Sequence, residues 1–219
     1  MNQEQESKQM KELFTKPCIM AVVGDVNEGK SMLLYSLLEE LTRTTEFKLF
    51  YYGLRLDFTK QHSQRVYSIA EIEQVRNSII IIDELSSLFD LENRKSRRII
   101  ENTLRLIHHN NNVLVLCGTP ENFKKFISAK LNVIIYKKCQ IADFINGSTV
   151  KNTLLAYNGN ERGSAVLTLL KNEALVYGGK HYKKFDVNYL KEYDTKKSNE
   201  HILKPRRRNE ASHMETKNL

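Results

Sequence analysis

Gly24-Asp25-Val26-Asn27-Glu28-Gly29-Lys30-Ser31 lies between a short apolar run, Cys18 to Val23, and a segment, Ser31 to Thr42, in which Leu33, Leu34, Leu37, Leu38 and Leu41 recur at helical spacing. The octet fits G-x-x-x-x-G-K-[ST], and a strand before it with an amphipathic helix after it is the context in which such a loop wraps phosphate. Its glycines let the backbone curl so that successive N–H groups face one anion, and the helix aims the positive end of its dipole at the same place. Lys30 is the side chain expected to reach the β- and γ-phosphates, and Ser31 the hydroxyl expected to ligate Mg²⁺. Gly24, Asp25, Val26, Asn27, Glu28, Gly29, Lys30, Ser31 and the following Met32 form the expected nucleotide-binding set, with ATP and Mg²⁺ as cofactors. Asp25 and Glu28 are acidic for a phosphate cradle, but backbone groups build the cradle, so both side chains can point away.

Outward from this loop the chain repeats a strand-then-helix rhythm. Phe47 to Gly53 is aromatic-rich and β-prone, and the four isoleucines Ile79 to Ile82 imply a strand buried on both faces. Asn93 to His109 reads as a helix with Ile99, Ile100, Thr103, Leu104 and Ile107 on one face, ending at the Asn110-Asn111-Asn112 turn. Val113 to Cys117 and Val133 to Tyr136 are two more strands, separated by Phe123, Phe126 and Ile127 at helical spacing. Apolar strands alternating with helices predict an α/β domain with a mostly parallel sheet covered on both sides. After about Ile141 the pattern changes. Thr153 to Tyr157, Ala165 to Leu170 and Ala174 to Tyr177, separated by Asn158-Gly159 and Lys171-Asn172, predict a small antiparallel addition. The expected organisation is a polar N-terminal segment at 1–16, an ATPase core at 17–140, a β-rich extension at 141–197 and a flexible basic tail at 198–219.

The strand Ile79 to Ile82 runs into Asp83-Glu84. A carboxylate at the end of a buried strand beside a phosphate loop can hold the hydration shell of Mg²⁺, which is the expectation for Asp83. An acid directly after it can polarise an attacking water, so Glu84 is the expected general base and points to hydrolysis rather than to transfer onto a small acceptor.

Composition limits the alternatives. With 41% hydrophobic and 27% charged residues in 219, the bulk of the chain has material for a core and is not intrinsically disordered. The longest apolar runs fall far short of the roughly 20 residues that a bilayer span needs, and nothing after the polar start reads as a secretory signal, so a soluble, cytoplasmic chain is expected. Cys18, Cys117 and Cys139 are odd in number and sit in apolar surroundings, which predicts buried thiols used for packing; a structural metal site is not expected. Residues 180–219 carry eleven Lys or Arg against six acids, a balance of +5 within a total of +8. The densest run, Lys204-Pro205-Arg206-Arg207-Arg208, reads equally as a solvated terminus and as a phosphate-backbone contact.

A phosphate loop at 24–31, a strand at 47–53, a strand ending in Asp83-Glu84 and a strand ending Leu116-Cys117-Gly118-Thr119-Pro120 together resemble the additional-strand, catalytic-Glu class of P-loop ATPases. Within that class the chain is most similar to the FtsK/HerA group, which includes DNA pumps and the genome-packaging ATPases of viruses with an internal membrane. The resemblance covers about residues 17 to 138. It implies a RecA-like sheet of strand order 5-1-4-3-2, numbered along the chain. Members often end the fourth strand with a Gln that senses the γ-phosphate; here Gly118-Thr119 stand in that place, and the sensor role passes to Thr119. Ring ATPases of this kind complete a neighbour's site with an arginine. Arg94, Arg97, Arg98 and Arg105 are the candidates, though any one of them reads more readily as an exposed helix charge, and Lys95 with the first three can equally line a pore facing DNA.

The resemblance implies an ATP-driven double-stranded DNA translocase, most specifically a viral genome-packaging ATPase, acting as a pentameric or hexameric ring. A capsid vertex or membrane-associated portal protein is the implied further partner, and the host cytoplasm or the virion the implied location. An AAA+ helicase loader or transposition accessory ATPase is the alternative, but it would carry a helical lid where residues 141–180 read as β-rich. A nucleotide-dependent switch or small-molecule kinase is the third reading, and Glu84 counts against it.

Overall fold

Strands that are apolar at every position need cover on both faces, and the computed structural model supplies it with one sheet between two helical layers. The structure describes residues 17–44, 46–54, 63–140, 166–178 and 181–186. Along the chain these form β1 (Cys18–Val23), α1 (Lys30–Thr44), β2 (Lys48–Tyr52), β3 (Ser63–Arg65), α2 (Ile69–Gln74), β4 (Ser78–Ile82), α3 (Leu85–Leu88) and α4 (Arg94–His109). There follow β5 (Val113–Gly118), a 3₁₀ turn (Pro120–Asn122), α5 (Lys125–Ser128), β6 (Val133–Tyr136), β7 (Glu173–Gly178) and β8 (His181–Asp186). The described strands join in the order β3-β2-β4-β5-β1-β6-β7-β8. Those from β3 to β6 are parallel, and β7 and β8 are antiparallel additions at one edge. The five strands expected from the sequence stand as β6-β1-β5-β4-β2, the expected 5-1-4-3-2.

Period-two alternation divides the core. Cys18, Met20, Val22, Ile79, Ile81, Val113, Val115 and Cys117 pack with Leu33, Leu34, Leu37, Leu38 and Leu41 of α1 on one face. Ile19, Ala21, Val23, Ile80, Ile82, Leu114 and Leu116 pack with α2, α4 and α5 on the other, through Ile72, Ile100, Leu104, Ile107 and Ile127. Each such side chain contributes about 1.5–3 kcal/mol on leaving water, which outweighs the mediocre helix propensity of the short segments. Helix α4 starts where the Asn93 side chain accepts the N–H of Lys95 at 2.8 Å. Ile99, expected on its buried face, is instead 45% exposed, because the apolar stripe of α4 centres on Ile100, Thr103, Leu104 and Ile107 and leaves Ile99 at its margin.

The Asn110-Asn111-Asn112 turn is a clasp across the N-terminal ends of β4 and β5. The Asn112 side chain accepts the Ser78 N–H at 3.0 Å and donates to the Val75 carbonyl at 2.7 Å. Asn110 accepts from the Arg76 guanidinium at 2.6 Å and donates to the Glu73 carbonyl, while Asn111 donates to the Asn77 side chain. A backbone group buried at a strand start must find a partner, and carboxamides offer a donor and an acceptor at once.

The antiparallel addition after β6 is present as expected and continues the main sheet, through Tyr136 paired with Leu175. One part of it departs from expectation. Residues 166–170, expected within a strand from Ala165 to Leu170, form a turn in which Val166 and Leu169, three apart, both plug the core beside α4 and α5. Ala174 to Tyr177 does form a strand, as part of β7. Strand β3 and helices α2 and α3 were not foreseen. The expected strand Thr153–Tyr157 and the segments 1–16 and 198–219 lie outside the described residues. Cys18, Cys117 and Cys139 are all free and buried, as expected. Among the described residues no helix is long and apolar enough to cross a membrane.

Candidate functional site

Parallel strands put all their C-terminal ends on one rim, and the register of this sheet brings the sequence motifs together there. Val23 pairs with Gly118 on one side and Tyr136 on the other, while Ile82 pairs with Leu116 and with Tyr52. The chain therefore leaves the sheet at Gly24, Gly53, Asp83, Thr119 and Lys137 along a single edge. The crevice beside β1, where strand order reverses, is where open α/β sheets receive ligands.

The loop from Gly24 to Gly29 is shaped by close contacts. A Cβ on Gly24 would lie 2.6 Å from the Cβ of Lys137, and the loop turns through positive φ at Asn27 (64°) and Gly29 (83°). Gly24 donates to the Gly118 carbonyl at 3.4 Å and Asp25 to the Lys138 carbonyl at 2.9 Å, so the strands on either side hold its first two residues. Leu33 N–H bonds the Gly29 carbonyl at 3.0 Å and starts the α1 ladder. Among the described residues the N–H groups of Gly29, Lys30, Ser31 and Met32 bond no backbone carbonyl, which leaves a fan of donors at a helix N-terminus. Lys30 Nζ lies over the loop, donating to the Asp25 carbonyl at 2.6 Å. Ser31 is exposed at the mouth, the Met32 side chain packs on the core, and Val26 stands 70% exposed at the tip. Donors, cation and glycine cradle fit a polyphosphate.

Asp83 is buried at the end of β4, its N–H held by the Tyr52 carbonyl at 2.9 Å. The Cys117 thiol lies beside its carboxylate. Burial first, and then the Asp83 charge, push that thiol well above the usual range, while the nearby Lys30 ammonium opposes the shift. Asp83, Cys117 and Lys30 thus share one pocket of charge. Glu84 points into solvent from left-handed backbone, φ 63° and ψ 74°, and its carbonyl accepts both the N–H and the hydroxyl of Ser87, at 2.9 and 2.7 Å. No group of three or more His, Cys, Asp or Glu able to hold a metal occurs among the described residues. Asp83 and the Ser31 hydroxyl still suit Mg²⁺, which commonly takes one or two protein oxygens beside phosphates and water.

Thr119 emerges at the rim, but its hydroxyl donates to Glu121 at 3.2 Å and its carbonyl caps the 3₁₀ turn. Of the four arginines, all exposed, Arg97 pairs with Glu101 at 3.1 Å and lies 4.9 Å over the Phe126 ring. Arg94 and Arg98, with Asn93 and Lys95, line a concavity at the start of α4. Helix α4 returns the chain to the beginning of β5, so its first turn lies toward the rim and its last toward the opposite edge. Arg105 is accordingly about 16 Å along the axis from Arg94.

Two residues at the rim were not foreseen. Gly53, at φ 78°, has the Asp83 carbonyl against the place where a Cβ would stand. Lys137 is fully buried, and its ammonium donates to the carbonyls of Lys171 and Glu173. The signal for Gly53 was a glycine ending a β-prone run; Lys137 left none.

Residues 20–137 match the family described as the ATPase family associated with various cellular activities, AAA. No curated protein matches the sequence. Among solved structures the chain is similar to B204, the DNA-packaging ATPase from Sulfolobus Turreted Icosahedral Virus, at 14% identity and TM-score 0.60, over 80% of this chain and 100% of that one. It is also similar to the genome packaging NTPase B204 from Sulfolobus turreted icosahedral virus 2 in complex with ATP-γ-S, at 16% identity, TM-score 0.55, and 78% and 97% coverage. The pCW3 conjugation coupling protein TcpA, with the same analogue, matches at 15% identity and TM-score 0.55, over 85% of this chain and 64% of that one.

Proposed function

Because the chain belongs to the ATPase family associated with various cellular activities, we propose that it is an ATP-driven double-stranded DNA translocase acting as a homo-oligomeric ring, in its most specific form a viral genome-packaging ATPase of the host cytoplasm. The observation that carries this reading is the rim itself: a phosphate loop with Asp83 and Glu84 beside it, on a fold that spans the whole length of a viral DNA-packaging ATPase. The conjugation coupling protein among the similar structures supports the same class of work.

In this reading the fan of amides from Gly29 to Met32 binds the β- and γ-phosphates, and Lys30 leaves the Asp25 carbonyl to neutralise them. Ser31 and Asp83 would hold Mg²⁺, which would supply positive charge against that developing on the phosphates. Glu84 takes a proton from the attacking water; as the catalytic Glu of the additional-strand class, it directs the site to hydrolysis. The Thr119 hydroxyl, released from Glu121, reports the γ-phosphate. Arg94 and Arg98 are the candidates to reach a neighbouring subunit's nucleotide, since Arg97 is engaged and Arg105 is distant from the rim.

The test is the ATPase rate with and without duplex DNA, together with the particle mass in ATP. Stimulation by duplex of any sequence and a ring-sized mass are expected. Each neutralised phosphate contributes about 0.9 to the slope of log affinity against log salt, so deleting residues 203–219 should flatten that slope by roughly two to four units if the basic run grips the backbone. A monomer that ignores DNA would favour the switch or kinase reading.

A further inference from the structure

Lys137 is an ammonium at 0% exposure one residue past β6, where the chain could have placed any apolar side chain. Its backbone N–H bonds the Val23 carbonyl at 2.7 Å, and its Cβ is the atom that forbids a side chain on Gly24. The next carbonyl, that of Lys138, receives the Asp25 N–H. Residues 137–138 are therefore the backing against which the first two residues of the phosphate loop are laid. The other end of the side chain reaches across to the carbonyl of Lys171 and, at 2.7 Å, to that of Glu173, where β7 begins. Charged donors to carbonyls make stronger bonds than neutral ones, and two of them fix an otherwise irregular turn. Burial lowers the Lys137 pKa to about 8, with the Glu28 and Glu173 carboxylates holding its proton on. Glu28 belongs to the phosphate loop, so the ammonium is felt on both sides.

We propose that Lys137 is a positioning residue for nucleotide binding, its side chain fastening the turn at 171–173 beneath the phosphate loop so that the antiparallel β7 edge sets the shape of the cradle. The proposal rests on the ATPase reading and adds to it that the cradle is completed from a part of the chain beyond the parallel core. It follows that ATP and the β7 edge stabilise one another: a ligand that orders the loop orders the turn through this side chain.

The test uses the full chain and an ATP analogue. In wild-type protein, hydrogen exchange should slow on analogue binding at residues 173–178 as well as at 24–33. Lys137→Met, which keeps the length but removes the donors, should raise the analogue Kd and the KM for ATP about tenfold, with kcat changed much less, and should abolish the coupled protection at 173–178. Lys137→Arg should recover part of the affinity. Wild-type protein that binds no ATP would sink the ATPase reading itself. Binding with protection confined to the loop, or a Lys137→Met protein of unchanged Kd, would overturn the proposal alone. Should Lys137→Met fail to fold, the wild-type exchange pattern decides.

Discussion

Two adjacent carboxylates at the rim are held in opposite ways. Asp83 is buried with its N–H held by Tyr52, whereas Glu84 is exposed on backbone that a non-glycine residue adopts at roughly 1–2 kcal/mol. The left-handed turn separates the two side chains, which one would expect if one is to hold a metal and the other to meet water. Glu84→Gln should accordingly keep ATP affinity and lose about two or more orders of magnitude in turnover, measured by analogue binding and single-turnover hydrolysis. Lys30→Ala should lose binding, because no other cation lies in the loop. Lys137 offers a pH signature. Its folded pKa is near 8 and its unfolded value near 10.5, so between those pH values the unfolded chain holds a proton that the folded chain has released. Unfolding free energy should rise with pH in that window, while below pH 8 the full cost of burying the ammonium persists. Glu28 and Glu173 face it, and Lys138 and Lys171 flank it. Denaturant titrations of wild type and Lys137→Met at pH 7 and pH 9.5 should show wild type gaining on the variant at the higher pH. Lys137→Met removes the cost of the buried ammonium but leaves the Lys171 and Glu173 carbonyls without their donors, so the signature is the change of the stability difference with pH, not its value at pH 7.

At the scale of elements, legibility in the sequence followed how local each signal is. The phosphate loop, the isoleucine strand and α1 declare themselves within a dozen residues, and the sheet order came from the family resemblance those motifs carry. Strand β3 did not, because Ser63-Gln64-Arg65 is polar and becomes a strand only by pairing with Leu49 to Tyr51. Residues 166–170 were misread because Val166 and Leu169 satisfy a core from within a turn, where composition alone suggests a strand. Lys137 was invisible because Lys137-Lys138 reads as surface charge, and only the carbonyls of a segment more than thirty residues away make its burial tolerable. The Asn turn shows in the sequence only as a helix stop for the same reason: its partners, Glu73 to Ser78, lie at the end of α2 and on the segment leading into β4. Asn112→Ala leaves the Ser78 N–H and the Val75 carbonyl without their partners, at about 1–3 kcal/mol each, so chemical denaturation should show a loss of a few kcal/mol with little effect on the ATP KM. Gly53→Ala should act at the other edge. Its Cβ would collide with the Asp83 carbonyl, and hydrolysis should fall together with stability.

Across the whole molecule, the sheet places its nucleotide rim and the concavity of Arg94, Lys95 and Arg98 toward the same end, while Arg105 lies three turns away. In a ring built from head-to-tail contacts, one subunit's rim faces a different surface of its neighbour, so a site completed in trans needs residues that a monomer leaves without a task. Arg94 and Arg98 meet that description, since neither makes an ion pair among the described residues. Lys30→Ala inactivates a subunit's own site yet leaves its arginines to offer, whereas Arg94→Ala or Arg98→Ala leaves the site and removes the offer. If either arginine acts in trans, each variant alone should be nearly inactive. An equal mixture should then recover up to about a quarter of the wild-type rate, the share of interfaces that join an intact site to an intact arginine. Arg105→Ala should hydrolyse ATP at close to the wild-type rate by itself. Absence of rescue for both arginines, with a monomer seen by light scattering in ATP and duplex DNA, would remove the ring and leave the nucleotide switch as the better account of this rim.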